Sequence, residues 1–315
     1  MGRRRKGRAI DGVLLLDKPL GVSSNHALQQ AKRLYFAAKA GHTGSLDPLA
    51  TGVLPICFGE STKFSQYLLD ADKNYRATFV LGEKTASGDA EGEVLESVDA
   101  SALTQLQIEQ AIGQFVGEID QIPPMYSALK QNGQPLYKLA RKGIEVSREA
   151  RRVEILEYDL LAFRSGFRAE VDVEVHCSKG TYIRSLAEDL GETLGVGGHV
   201  SALRRTFTGG FDEAQCVTLE ALSHERGEGR AESLDHHLLP VDAPVDHLPR
   251  VELSAESAYY FRMGNPVMDA QVYRVGQEGD MVRVFCESGQ FLGVAAIEEG
   301  RVAPKRSVAN SPNAE

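Results

Sequence analysis

Glu170-Val171-Asp172-Val173-Glu174-Val175-His176-Cys177 carries the clearest period-two signal in the chain. Val171, Val173, Val175 and Cys177 fall on one side, and Glu170, Asp172, Glu174 and His176 on the other. Successive strand residues point to opposite faces, so the octet spells a half-buried strand, most naturally in an antiparallel sheet. The pattern continues outward. Val153 to Phe163 predicts one long strand or a strand pair. Beyond the turn at Ser178-Lys179-Gly180-Thr181, Ile183, Leu186, Ala187, Leu190 and Leu194 mark the buried face of an amphipathic helix. Val200 to Phe207 returns as a strand.

Further toward the N-terminus, Gly12 to Leu16 reads as a strand stopped by Asp17-Lys18-Pro19. Ser23, Ser24 and Asn25 offer caps for a helix to about Ala38. Ser61 and Thr62 open a second helix carrying Phe64, Tyr67 and Leu68, and Lys73 to Leu81 alternates as a strand. Glu83 to Glu93 reads as a loop, with Ser101 capping a helix to about Phe115. Ile122-Pro123-Pro124 excludes a regular helix, because proline fixes φ and removes a donor; Gln134 to Arg141 is expected to be helical. Strands come in adjacent runs without a βαβα rhythm. The expectation is α+β with a mixed, mainly antiparallel central sheet. The acidic, proline-containing stretch from Ser223 to Pro249 reads as a domain tail and linker. From Val251 onward, a short helix and short strands suggest a small β-rich module.

The 315 residues suggest about two domains. A formal net charge of -9 argues against a uniformly basic surface but leaves room for a local basic footprint. Two such footprints stand out. One is Arg3, Arg4, Arg5, Lys6 and Arg8; the other is Lys130, Lys138, Arg141, Lys142, Arg148, Arg151 and Arg152. Acidic residues collect beyond Asp212. Cys57, Cys177, Cys216 and Cys286 are dispersed, with no CxxC pair, so no metal site is expected and a reducing, cytoplasmic compartment fits. No apolar run is long enough to span a bilayer, and the first residues lack a signal-peptide apolar region.

Chemistry centres on Gly41-His42-Thr43-Gly44-Ser45-Leu46-Asp47-Pro48-Leu49-Ala50-Thr51-Gly52. A carboxylate on a glycine-rich turn beside a buried strand is held rigidly yet stays reachable. The same composition also makes an ordinary capped turn. Asp47 needs a partner to orient it and keep it ionised, and an arginine does both. Arg184 is the candidate, at the start of the helix after the Cys177 strand, although spacing alone favours a surface pair with Glu188. Tyr75 reads either as core or as a ring that stacks on a base and uses its hydroxyl. Tyr126 and Tyr182 are open in the same way, and His42 reads as structural or functional. No Ser-His-Asp set, P-loop or dinucleotide fingerprint occurs.

Six stretches then converge: GVLLLDKPLGVSS (12–24), AGHTGSLDPLATGVLPICFGESTKF (40–64), KNYRATFVLG (73–82), QIPPMYSALKQNGQPLYKLARKGIEV (121–146), HCSKGTYIRSLAEDLG (176–191) and HVSALRRTFTG (199–209). In this order they resemble the TruB family, bacterial synthases that convert the uridine at tRNA position 55, in the T-loop, to pseudouridine. The resemblance implies the pseudouridine synthase fold. It implies Asp47, Tyr75 and Arg184 as catalytic residues, and Lys18, His42, Tyr182 and Leu203 at the substrate. It further implies a catalytic domain over 10–249 with an RNA-closing insertion at about 122–152. A basic tail at 1–9 precedes it, and a PUA-like RNA-binding module over 250–315 follows. No cofactor, guide RNA or membrane is expected, and the partner is the tRNA T-arm stem-loop, met by a monomer. Three rivals remain on the sequence alone: a non-catalytic RNA-binding protein, a guide-RNA-dependent synthase, and a glycosidase using Asp47 with Asp89.

Overall fold

In the computed structural model, which describes residues 7–131, 133–269 and 272–309, the alternating stretch Glu170–Cys177 lies in the strand Ala169–Cys177. Its valines and cysteine are buried and its charged residues are not. In chain order, the structure begins with β1 (Gly12–Lys18), α1 (Ser24–Leu34), β2 (Ala40–His42), β3 (Ala50–Phe58), α2 (Ser65–Asp70) and β4 (Lys73–Leu81). A hairpin of β5 (Glu83–Thr85) and β6 (Val94–Ser97) precedes α3 (Gln105–Ile112) and β7 (Gly117–Gln121). The proline-rich insertion holds β8 (Lys130–Gln131), β9 (Gln134–Pro135) and α4 (Leu136–Ala140). Then come β10 (Arg151–Arg164), β11 (Ala169–Cys177), α5 (Ile183–Thr193) and β12 (Gly198–Thr208). Short pieces follow: β13 (Phe211–Asp212), β14 (Val217–Thr218), α6 (Leu219–Arg226) and β15 (Leu238–Leu239).

The central sheet runs β14-β1-β3-β12-β4-β11-β10-β7, and only β1–β14 and β3–β12 are parallel pairs. It is therefore mixed and mainly antiparallel, in an α+β fold. Both faces of β1 are buried. Leu14 and Leu16 join α1, α3 and α5 in the main core, while Val13 and Leu15 meet Val53, Leu68 and Phe211 on the other face. Such a strand loses its alternation in sequence, which is why GVLLL reads as a plain apolar run.

Register is what builds the site. Leu203 of β12 sits between Ala50 of β3 and Ala77 of β4; Arg205, two residues on, sits between Gly52 and Tyr75. Residues i and i+2 share a face, so Leu203 and Arg205 point the same way, beside the turn that leads into β3. The parallel β3–β12 pair depends on Gly52, whose φ is +97° and where an added Cβ would lie 2.2 Å from the Arg205 carbonyl oxygen. Gly52→Ala is expected to destabilise the protein by about 3 kcal/mol or more, from left-handed backbone strain plus a clash that separates two central strands. Urea denaturation checks this; a wild-type midpoint would mean the two strands are not packed this closely.

Several expectations are corrected. The helix after Ser101 starts later, capped by Thr104 with Gln107 closing a capping box. Ser61 and Thr62 lie in a 3₁₀ turn, and the helix proper is α2. Of the stretch from Ser223 to Pro249, read as a domain tail and linker, the part through β15 packs as part of the main fold: Leu234 is a core residue, the Tyr35 hydroxyl donates to the Leu234 carbonyl at 2.9 Å, and β15 pairs with β1. Its acidic composition masked apolar residues too widely spaced for a clear period. Nor is 7–9 a free tail: the Arg8 guanidinium is ion-paired with Asp235 and Glu232. The basic residues Arg3 to Lys6 lie outside the described residues.

A second, five-stranded sheet ends the chain, in the order β16 (Arg250–Leu253), β18 (Met281–Cys286), β19 (Phe291–Glu298), β20 (Arg301–Ser307) and β17 (Val267–Met268), with α7 (Ala255–Arg262) packed on it. It is the expected small β-rich module. Phe64 joins it to the main fold, packing edge-on against Phe291 with ring centroids 5.3 Å apart.

Candidate active site

The turn bearing Asp47 is tied down from both sides. On one side the Leu46 N–H donates to Ser24 Oγ at 2.7 Å, and Ser24 Oγ donates back to the Leu46 carbonyl at 3.0 Å. On the other, Arg205 donates to the Gly44 carbonyl at 3.2 Å and to the Val53 carbonyl at 2.7 Å. Beneath the turn, the wholly buried Lys18 ammonium donates to the carbonyls of Pro19, Val22 and Pro48 at 2.9, 2.6 and 3.4 Å. Burial drives its pKa down to about 8. Backbone groups that would otherwise be orphaned are thus satisfied by buried donors, which fixes the turn.

The Asp47 carboxylate meets Arg184 Nε at 2.9 Å. Arg184 is itself buried, and its remaining donors are spent on the Ser87 carbonyl at 2.8 Å and the Tyr126 carbonyl at 2.7 Å. It is therefore not the surface partner of Glu188 that spacing allowed. A second carboxylate stands behind it, with Asp89 Oδ2 3.8 Å from Arg184 Nη1. Asp89 accepts from Ser87 Oγ at 2.5 Å and from the Glu91 N–H at 3.1 Å. One guanidinium thus joins three separate segments: the Asp47 turn, the loop between β5 and β6, and the insertion.

The Asp47 side chain keeps 42 % of its surface accessible and lines a recess in the protein. Removal from bulk water raises its pKa above the ordinary value of 3.8. Arg184 opposes that rise and Asp89 adds to it. The sequence reading expected Arg184 to dominate; burial outweighs it, because the recess desolvates the carboxylate more than one guanidinium compensates.

The recess has a volume of about 290 Å³ and is lined by Asp47, Tyr75, Tyr182, Arg184, Leu203 and Arg205, among others. That is the small end of ligand-site volumes, suited to one ring system and not to a polymer. Burial raises the Tyr75 phenol pKa, with Arg205 pulling it back. A wider depression of about 540 Å³ adjoins across Leu203. Its arginines are already engaged, Arg204 with Asp17 and Glu213, and Arg76 with Glu174 and Glu213. The chemistry-bearing groups belong to the smaller space.

Of the seven residues singled out from sequence, five line this recess. Lys18 and His42 do not. Lys18 is a support for the turn, and His42 Nδ1 is buried without a hydrogen-bond partner among the described residues, its pKa lowered by burial and by Arg205. Three residues were missed: Arg205 and Lys73, both buried and both lining the recess, and Asp89 in its pairing with Arg184. Arg205 and Lys73 lie inside the quoted stretches, but nothing in their spacing marks them as buried cations. The glycosidase rival loses its geometry, because Asp89 lies behind Arg184 and is absent from the recess lining.

Comparison with known proteins follows the same contours. The family described as "TruB family pseudouridylate synthase (N terminal domain)" matches residues 32–183, "tRNA pseudouridylate synthase B C-terminal domain" matches 184–246, and "Pseudouridine synthase II TruB, C-terminal" matches 249–308. The tRNA pseudouridine synthase B of Saccharophagus degradans is 63% identical over 310 residues, covering 98% of this chain and 99% of that protein. The chain belongs to the TruB family. The TruB relative from Pseudomonas aeruginosa, also named tRNA pseudouridine synthase B, is 52% identical over 306 residues, 97% of this chain and 98% of its own. Among solved structures, the archaeal box H/ACA sRNP Nop10–Cbf5 complex contains a chain that superposes with a TM-score of 0.69 at 25% identity, covering 96% of this chain and 87% of its own. The fold is thus the pseudouridine synthase fold.

Proposed function

We propose that this chain isomerises the uridine at tRNA position 55, in the T-loop, to pseudouridine, acting as a cytoplasmic monomer with neither guide RNA nor cofactor. The observation that carries the reading is the buried Arg184 presenting the Asp47 carboxylate to a base-sized recess beside Tyr75 and Leu203. The TruB relatives named tRNA pseudouridine synthase B, matching nearly end to end, support tRNA as the substrate.

The reaction breaks the N1–C1′ bond, rotates the uracil and forms C5–C1′, with one proton leaving C5 and one gained at N1. Atoms balance without an oxidant or a phosphate donor. What the protein must supply is confinement of the detached base beside the sugar, a positioning task. Attack of Asp47 at C1′, its attack at C6, and removal of the 2′ proton all require the carboxylate form. Tyr75 stacks on the base and takes part in the final proton movement at C5; Leu203 and Tyr182 close the recess around the ring.

A uridine inside a folded loop has to be extruded first, which costs a few kcal/mol. Phosphate contacts offset that cost. Lys130, Lys138, Arg141, Lys142 and Arg151 in the 122–152 insertion are exposed and make no ion pair among the described residues, whereas Arg148 and Arg152 are engaged with Glu145 and with Glu118 and Asp120. These five form the RNA-facing set, with His42 contacting the T-loop and the 250–315 module adding a PUA-like RNA-binding surface to the 10–249 catalytic unit.

The test is purified protein incubated with an unmodified T-arm stem-loop, without additives, followed by carbodiimide-primer extension. One modified uridine, at the position equivalent to 55, is expected. No stop, or a stop that requires an added guide RNA, would overturn the proposal.

A further inference from the structure

Glu225, near the end of α6, faces His236 and His237 at the end of the 3₁₀ turn Ala231–His237. His236 Nε2 lies 3.5 Å from one carboxylate oxygen of Glu225, and His237 Nε2 lies 2.7 Å from the other. One ligand-type atom from each residue falls within 4.8 Å of the other two. The two imidazoles lie against each other, with ring centroids 4.0 Å apart and planes tilted by 37°.

The far side of the His236 ring settles its orientation. Nδ1 is 2.9 Å from the Ser233 carbonyl oxygen. A carbonyl only accepts, so Nδ1 carries the proton, and in the neutral ring the Nε2 lone pair points into the cluster. Anchoring the second nitrogen on a backbone carbonyl is how metal-ligating imidazoles are held. A tetrahedral ion with bonds of about 2.0–2.1 Å places its ligand atoms roughly 3.4 Å apart. Each imidazole nitrogen faces its own Glu225 oxygen, at 3.5 and 2.7 Å, and one ligand atom from each of the three residues lies within 4.8 Å of the other two, so small side-chain shifts bring them to that spacing.

We propose that Glu225, His236 and His237 bind a divalent transition-metal ion, zinc or nickel, with water completing its coordination. Two imidazoles and a carboxylate suit these ions and not the all-oxygen preference of magnesium. The ion displaces the proton shared between His237 Nε2 and Glu225. It fastens α6 to a turn with three other attachments: Asp235 pairs with Arg8, the Leu234 carbonyl accepts from Tyr35, and β15 follows directly onto β1. None of the three ligands lines the Asp47 recess, so the site is structural and separate from the isomerisation.

Isothermal titration of untagged, chelator-stripped full-length protein with zinc or nickel chloride tests this. One ion per chain is expected, together with a rise in melting temperature, because a ligand of the native state stabilises it by mass action. His236→Ala, His237→Ala and the size-conserving Glu225→Gln should each weaken binding by about 100-fold or more, at least the loss seen when an outer-shell partner is removed. Each should also abolish the thermal shift while keeping wild-type isomerisation without metal. Binding that the three variants leave unchanged, or no heat at millimolar ion, overturns the proposal.

Discussion

Asp47→Asn is expected to end pseudouridine formation, by about 10⁴-fold or more in single-turnover rate, while RNA affinity stays near wild type. Asparagine fills the same volume and still accepts a hydrogen bond from Arg184 Nε, but it can neither attack carbon nor take a proton. Each route open to a single acid fails at once. Release of tritium from C5-labelled uridine reports the chemical step directly, because the C5 proton is lost in every route; filter binding reports affinity. Stability gives an independent reading. The folded-state pKa of Asp47 is raised above its unfolded value, so the folded chain binds its proton more tightly than the unfolded one. Any stabilisation from this group is present at low pH and lost as pH rises through the unfolded and then the folded pKa. At neutral pH the ionised carboxylate is therefore a burden on the fold, and the asparagine variant should melt no lower than wild type. A variant that loses activity together with several degrees of melting temperature would make Asp47 a structural residue. One that keeps more than about a hundredth of the activity would remove it from the mechanism.

Much of this was legible because two signals were local. The alternation at Glu170–Cys177 forces one face inward whatever its neighbours, and the glycines around Asp47 announce a turn. Arg184 was harder. In a helix, Glu188 at i+4 is always within reach, and only the sheet order β3-β12-β4-β11, invisible in the sequence, brings the Asp47 turn to the start of α5. The acidic partner Asp89 was noticed for the wrong reason. As a bare carboxylate it suggested a glycosidase pair; its actual place behind the guanidinium depends on the loop between β5 and β6 folding back over α5. Lys18 shows the opposite failure. The resemblance put this lysine of the DKP segment at the substrate, yet three carbonyls converge on it from 19, 22 and 48. Convergence of that kind is a tertiary property. The His-Glu cluster on α6 and the following turn was hidden for the same reason, in a stretch whose acidity reads as a linker.

Because Arg184 and Asp89 act on the Asp47 proton with opposite signs, removing each should move the acid limb of activity in opposite directions. Arg184 lowers the Asp47 pKa both by its charge and by its hydrogen bond, whereas the Asp89 charge raises it. Arg184→Met should thus push the pH at which activity rises to a higher value than in wild type, and Asp89→Asn should pull it lower. Their rates should differ as well. Without Arg184, two carboxylates face each other with no shared cation and the Ser87 and Tyr126 carbonyls lose their donor, so the plateau rate should fall by about 10²–10³-fold, the scale of losing a preorganised charge partner. Arg184→Lys restores the charge but not the fork that reaches Asp47, Ser87 and Tyr126 together. Its limb should return toward the wild-type pH while its plateau stays low. In Asp89→Asn, the guanidinium keeps its bonds to Asp47, Ser87 and Tyr126, and the loss should be smaller, set by how far Arg184 shifts. Pre-steady-state rates across pH 4–9 on the stem-loop separate limb from plateau. Limbs that move together would show that the guanidinium serves only as a structural clamp and does not tune the carboxylate beneath the substrate.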